Sequence, residues 1–124
     1  MSFLLVCAGG AFGSGARYLV ALLAARRLGA DFPRGTLFIN VTGSFLLTML
    51  VSATTGQAGR DELRLLLGTG VLGGYTTYSS FNAETIALAT SGRGFAAAIY
   101  AVSTVLLGLL AGAIGFAVGQ AVSA

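Results

Sequence analysis

Five hydroxyl-bearing residues in succession, Thr76, Thr77, Tyr78, Ser79 and Ser80, follow directly on Gly73 and Gly74 and lead into Phe81. They lie inside an apolar segment bounded by Arg64 and Arg93, longer than the roughly 20 residues needed to cross a hydrocarbon core about 30 Å thick. Hydroxyls suit a lipid-facing helix interior poorly. Non-helical backbone at membrane depth is tolerated only where protein buries it or where it lines a watery or ionic cavity, because each orphaned polar group in lipid is costly. The segment therefore reads as a membrane crossing interrupted near its centre, at residues 73 to 78. That interruption is the candidate functional site.

Other residues with chemical capacity are few. Asn40 is the only carboxamide of the apolar stretch from Gly35 to Ala53, with Thr36, Gly43 and Ser44 about one turn away. It serves either as a hydrogen bond between helices or as a donor of amide hydrogens to a passing anion. Tyr100, Ser103 and Thr104 share one helix face and either bond the turn behind them or face a pore. Arg17 places a cation inside an apolar span at a cost of at least about 2.5 kcal/mol, so it either snorkels to the interface or supplies positive potential near an anion entrance. Glu84 falls near the first turns of the second half of the interrupted segment, where a carboxylate is tolerated and a pairing role is expected. Cys7 is the lone cysteine and there is no histidine, so neither an internal disulfide nor a cysteine metal site can form.

The elements that must position these residues follow from composition. The chain has 124 residues, 56% of them hydrophobic and 9% charged, with a mean hydropathy of +0.88, against about 25% charged in soluble domains. It reads as a single all-α membrane domain over residues 1–124, with four spans. The first runs from about Phe3 to Ala25 and carries Gly9-x-x-x-Gly13, which lets another backbone approach closely. The second runs from Gly35 to Ala53, after a basic loop ending near Pro33. The third runs from Leu63 to Leu72 and, after the break, from Ser79 to Thr90; Asp61 and Glu62 in its first turn favour the helix dipole. The fourth runs from Phe95 to Ala121.

Arginine supplies all the positive charge, in ones and twos, which argues against a nucleic-acid surface. Loops one and three hold Arg26, Arg27, Arg34 and Arg93, and the middle loop Arg60 and Arg64. So weak a bias permits insertion in either orientation and packing as an antiparallel pair.

Three motifs in order, GGAFGSGARY at residues 9 to 18, GTLFINVTGSF at 35 to 45 and GGYTTYSSF at 73 to 81, resemble the fluoride channels of the Fluc or CrcB family. The resemblance covers all four spans. It implies an antiparallel dual-topology homodimer in the lipid of the bacterial inner membrane, two fluoride pathways, passive fluoride efflux, and a structural sodium ion at the dimer centre. By the same resemblance, sodium is held by backbone carbonyls of Gly73 and Thr76, fluoride passes the ring edges at Tyr78 and Phe81, and the pathway includes Asn40, Ser79, Ser80, Tyr100 and Thr104, with Arg17 near the entrance. Tyr78 stands where the family usually has phenylalanine, and Gly108 where it has a further polar position.

The chief rival is a proton-coupled exporter of the small multidrug-resistance type, which needs a carboxylate in the first span where this chain has Arg17. A membrane scaffold would explain the small-residue packing and leave the polar break without a purpose. An enzyme would need a base, a nucleophile dyad or a metal set around the hydroxyls, and the sequence offers none.

Overall fold

A computed structural model describes residues 1–123, and every regular element among them is helical. Helix α1 spans Ser2–Leu28 and α2 Arg34–Thr54; α3, Asp61–Leu63, continues through a π-helical stretch, Arg64–Leu72, into α4, Gly73–Tyr75. Helix α5 spans Tyr78–Thr90 and α6 Gly94–Ser123. Three helices, α1, α2 and α6, are each long and apolar enough to cross a membrane. Residues 61–90 form a fourth rod in two pieces.

Local chemistry sets the ends. Gly29 leaves α1 at φ +80°, a conformation that favours glycine, and Gly92 does the same between α5 and α6. Arg26 and Arg27 occupy the last turn of α1, and Asp61 and Glu62 the first turn of α3, so both ends complement the helix dipole.

Packing is mostly backbone on backbone. Helix α1 lies against the π-helical stretch and α4. A methyl added at Gly9 or Gly13 would strike the carbonyl of Leu66 or Val71, and one at Gly70 would stand 3.0 Å from the Gly9 Cα. The Gly9-x-x-x-Gly13 face thus does what its spacing predicts. Helix α2 makes its most extensive contact with α6, where Gly115 and Gly119 leave room for Thr48 and Ser52. Few large apolar side chains are buried, Ile39 and Tyr100 completely, while Phe3, Leu4, Phe12, Leu19 and Leu109 lie on the outside. Such an exterior belongs in hydrocarbon.

The rod formed by residues 61–90 departs from expectation in detail. Gly73 and Gly74, expected inside the irregular stretch, are helical, and only Thr76 and Thr77 are extended, with ψ of 155° and 112°. Gly74 serves proximity here: a Cβ on it would stand 3.0 Å from the Gly10 Cα. The π-helical turns before them had no sequence signal.

Candidate functional site

Thr76 and Thr77 leave the helix because side chains take the hydrogen bonds that a helix would have used. In an uninterrupted α-helix the Thr77 N–H would donate to the Gly73 carbonyl and the Ser80 N–H to that of Thr76. Instead the Thr77 N–H donates to Asn40 Oδ1 at 2.9 Å, and the Ser80 N–H to Thr77 Oγ1 at 3.1 Å. Asn40 closes the exchange by donating from Nδ2 to the Thr77 carbonyl at 3.0 Å. A carboxamide on α2 therefore pairs with both polar groups of one buried peptide residue, as a neighbouring strand would. The oxygens of Gly73 and Thr76 are left without their helical donors.

Thr77 is the N-cap of α5, and its hydroxyl sits 3.0 Å from Ser80 Oγ and 3.3 Å from Ser79 Oγ. Three hydroxyls thus crowd the positive end of a helix dipole. The α4 side is pinned too. Tyr75 Oη lies 3.1 Å from Thr42 Oγ1 on α2, and Ser14 Oγ on α1 donates to the Gly74 carbonyl at 3.5 Å.

Beside this break runs a groove of about 670 Å³ between α2, the start of α5, and α6. Asn40, Ser44, Thr77, Tyr78, Phe81 and Thr104 are among the residues lining it, and none of the lining residues is charged. Tyr78 and Phe81 stand with ring centroids 6.0 Å apart; Phe81 is 5.4 Å from Tyr100, which meets Phe32 edge-on at 5.6 Å. Four rings therefore lead from the groove toward a second cavity, of about 370 Å³, lined in part by Phe32, Arg34, Thr36, Glu84 and Arg93.

In the wall of that cavity, Glu84 accepts hydrogen bonds from Thr36 Oγ1 at 2.8 Å and Tyr100 Oη at 2.6 Å. The pairing expected of Glu84 is present, and its partners are two hydroxyls on α2 and α6. The sequence had marked Thr36 only as a neighbour of Asn40. The Tyr100, Ser103, Thr104 stripe divides. Tyr100 is fully buried, Thr104 lines the groove, and Ser103 lines a separate apolar cleft with Val102 and Leu106. The hydroxyls of Ser103 and Thr104 both donate to the Tyr100 carbonyl, at 3.2 and 2.7 Å, so bonding to the preceding turn accounts for both in this state. Ser79, Ser80, Gly73 and Arg17 lie outside the groove lining, the serines in the α5 cap and Arg17 half-buried on α1.

A chain whose described elements are all helical, with an apolar exterior and a groove free of charged side chains, is a multi-pass membrane protein, here one of the bacterial plasma membrane. Residues 4–116 match the family described as CrcB-like protein, Camphor Resistance (CrcB), and the chain belongs to that family. Its relatives include a protein of Anaeromyxobacter dehalogenans, 59% identical over 89% of this chain and 87% of the relative. One from Rhizobium meliloti is 49% identical over 95% of both chains, and one from Thermus thermophilus is 44% identical over 96% of this chain and 95% of the relative. Each of the three is named fluoride-specific ion channel FluC.

Proposed function

We propose that this protein is a fluoride channel that lets the ion leave the cell passively. The observation that carries the proposal is the groove itself, which joins amide, hydroxyl and aromatic C–H donors at a helix N-terminus without one charged side chain. Fluoride is small and strongly hydrated, so removing its water requires several replacement donors together. A fixed cation in the groove would hold the ion, whereas weak neutral donors in series let it enter and depart. Ring edges at Tyr78 and Phe81 carry partial positive charge and suit this role. The names of the relatives support fluoride as the ion. They give no support to the small multidrug-resistance exporter.

In this reading two copies pack antiparallel, with the extended Thr76–Thr77 pair near the middle of the third crossing. Tyr78, 76% exposed in the single chain, then gains a partner surface, and the open groove gains a second wall. A sodium ion fits the residues present, because the Gly73 and Thr76 carbonyls have lost their helical N–H donors to Asn40 and Thr77. Main-chain oxygens are hard ligands suited to such an ion, and the cation would supply a fixed positive charge between the subunits.

The test is fluoride efflux from liposomes carrying the purified protein, with chloride as the control anion. Wild type should release fluoride far faster than chloride. Phe81→Ile, which removes the ring edge and keeps an apolar side chain, should slow fluoride roughly tenfold or more without dissociating the dimer. An unchanged rate removes the ring from the mechanism.

A further inference from the structure

A polar file descends one face of α2: Thr36, Asn40, Ser44, Thr48 and Ser52, each four residues after the last. Four of the five tie α2 to other elements. Thr36 bonds Glu84, Asn40 bonds Thr77, Thr48 donates to the Gly112 carbonyl at 2.7 Å and Ser52 to that of Phe116 at 2.9 Å. Ser44 differs: among the described residues its hydroxyl bonds only within its own helix, to the Asn40 carbonyl at 2.8 Å, and it lines the groove. The opposite wall, α6, offers Thr104 and then Gly108 and Gly112, so beyond Thr104 those positions carry no side-chain donor. Ser44 stands at that gap, where a Cβ built on Gly108 would lie 3.7 Å from Ser44 Oγ.

We infer that Ser44 is an anion-contacting residue of the groove, supplying from α2 the hydroxyl that Gly108 leaves missing from α6. The inference rests on the fluoride-channel reading and deepens it. A hydroxyl bonded to the carbonyl one turn back is free to rotate about its C–O bond and turn its proton into the groove. The Asn40 carbonyl it leaves still accepts the main-chain N–H of Ser44, so no buried acceptor is orphaned. The gain is a hydrogen bond to an anion, stronger than the neutral one given up. Thr104 holds its hydroxyl in the same way on the Tyr100 carbonyl, so each wall contributes one donor held in reserve. Thr48, bonded across to Gly112, joins the walls and is not available for this purpose.

The experiment measures fluoride efflux from liposomes for wild type, Ser44→Ala, Ser44→Cys and Ser44→Ala with Gly108→Ser. Ser44→Ala should slow efflux about tenfold, the loss of one charge-assisted hydrogen bond, with Ser44→Cys in between because a thiol donates weakly. The double variant should return to within about threefold of wild type, since a serine at 108 fits the gap and reaches the same part of the groove from the other side. Wild-type rates for folded Ser44→Ala, or for Ser44→Cys should the alanine variant aggregate, overturn the inference. So does a double variant no faster than Ser44→Ala. A wild-type protein that releases no more fluoride than protein-free liposomes refutes the channel reading and Ser44's role with it; a conducting wild type with an equally fast Ser44→Ala refutes the role of Ser44 alone.

Discussion

Replacing Asn40 by alanine removes both bonds that hold Thr77 out of the helix, at 2.9 and 3.0 Å. Thr77 is only 6% exposed, so water has little access to the polar groups left behind. Each such orphan costs about 1–3 kcal/mol, or about 2–6 for the pair. The Thr77 N–H has one fallback, a return to the Gly73 carbonyl by local rewinding, which confines the expected loss to the lower half of that range, about 2–4 kcal/mol. The measurements are the thermal-unfolding midpoint of purified Asn40→Ala in mild detergent and its fluoride efflux rate in liposomes. Both should fall together, because rewinding at 77 also withdraws the freed carbonyl and reshapes the groove. Asn40→Asp keeps the acceptor for Thr77 N–H but sets a carboxylate against the Thr77 carbonyl and in the path of an anion. It should therefore lose conduction more completely than it loses stability. An alanine variant with unaltered stability would refute the bracing role; one that is stable yet slow would make Asn40 solely an anion donor.

Two further outcomes are expected. Gly13→Ala would drive a methyl into the Val71 carbonyl and to 3.0 Å from the Tyr75 nitrogen, costing about 1–3 kcal/mol, and should lower the unfolding midpoint whereas Gly15→Ala, with open space around it, should not. For the antiparallel pair, a Cys7→Ser background carrying Ser91→Cys, an exposed loop position, should be labelled by impermeant thiol reagents from both sides of the membrane; one-sided labelling refutes dual insertion.

Much of this molecule is legible in its sequence because lipid leaves the chain few options. Long apolar runs with caps and loop arginines mark the helices to within a few residues, and glycine spacing on α1 marks the face that meets another backbone. The hydroxyl run likewise marks the helix interruption: Thr76 and Thr77 are the extended residues, and Ser79 and Ser80 belong to the cap that follows. What the sequence does not show is which partner each polar side chain takes. Asn40 and Thr77 are 37 residues apart, and Thr36 and Glu84 are 48 apart, distances over which no local periodicity operates. Glycine misled in a particular way. Gly73 and Gly74 suggest backbone freedom, yet both are helical, Gly74 serves to let α1 come close, and the departure from helix begins only at Thr76, where side chains capture the amides. The four-residue spacing from Thr36 to Ser52 was available and would have pointed to a continuous polar face on α2.

The two N–H groups drawn away from Gly73 and Thr76 are held by side chains of the same chain. Whatever meets those two oxygens therefore finds carbonyls already released from their helical donors. In the proposed antiparallel pair, a newly inserted chain would need no remodelling by its counterpart; each would arrive with its half of the junction finished, and assembly would reduce to a search between completed surfaces.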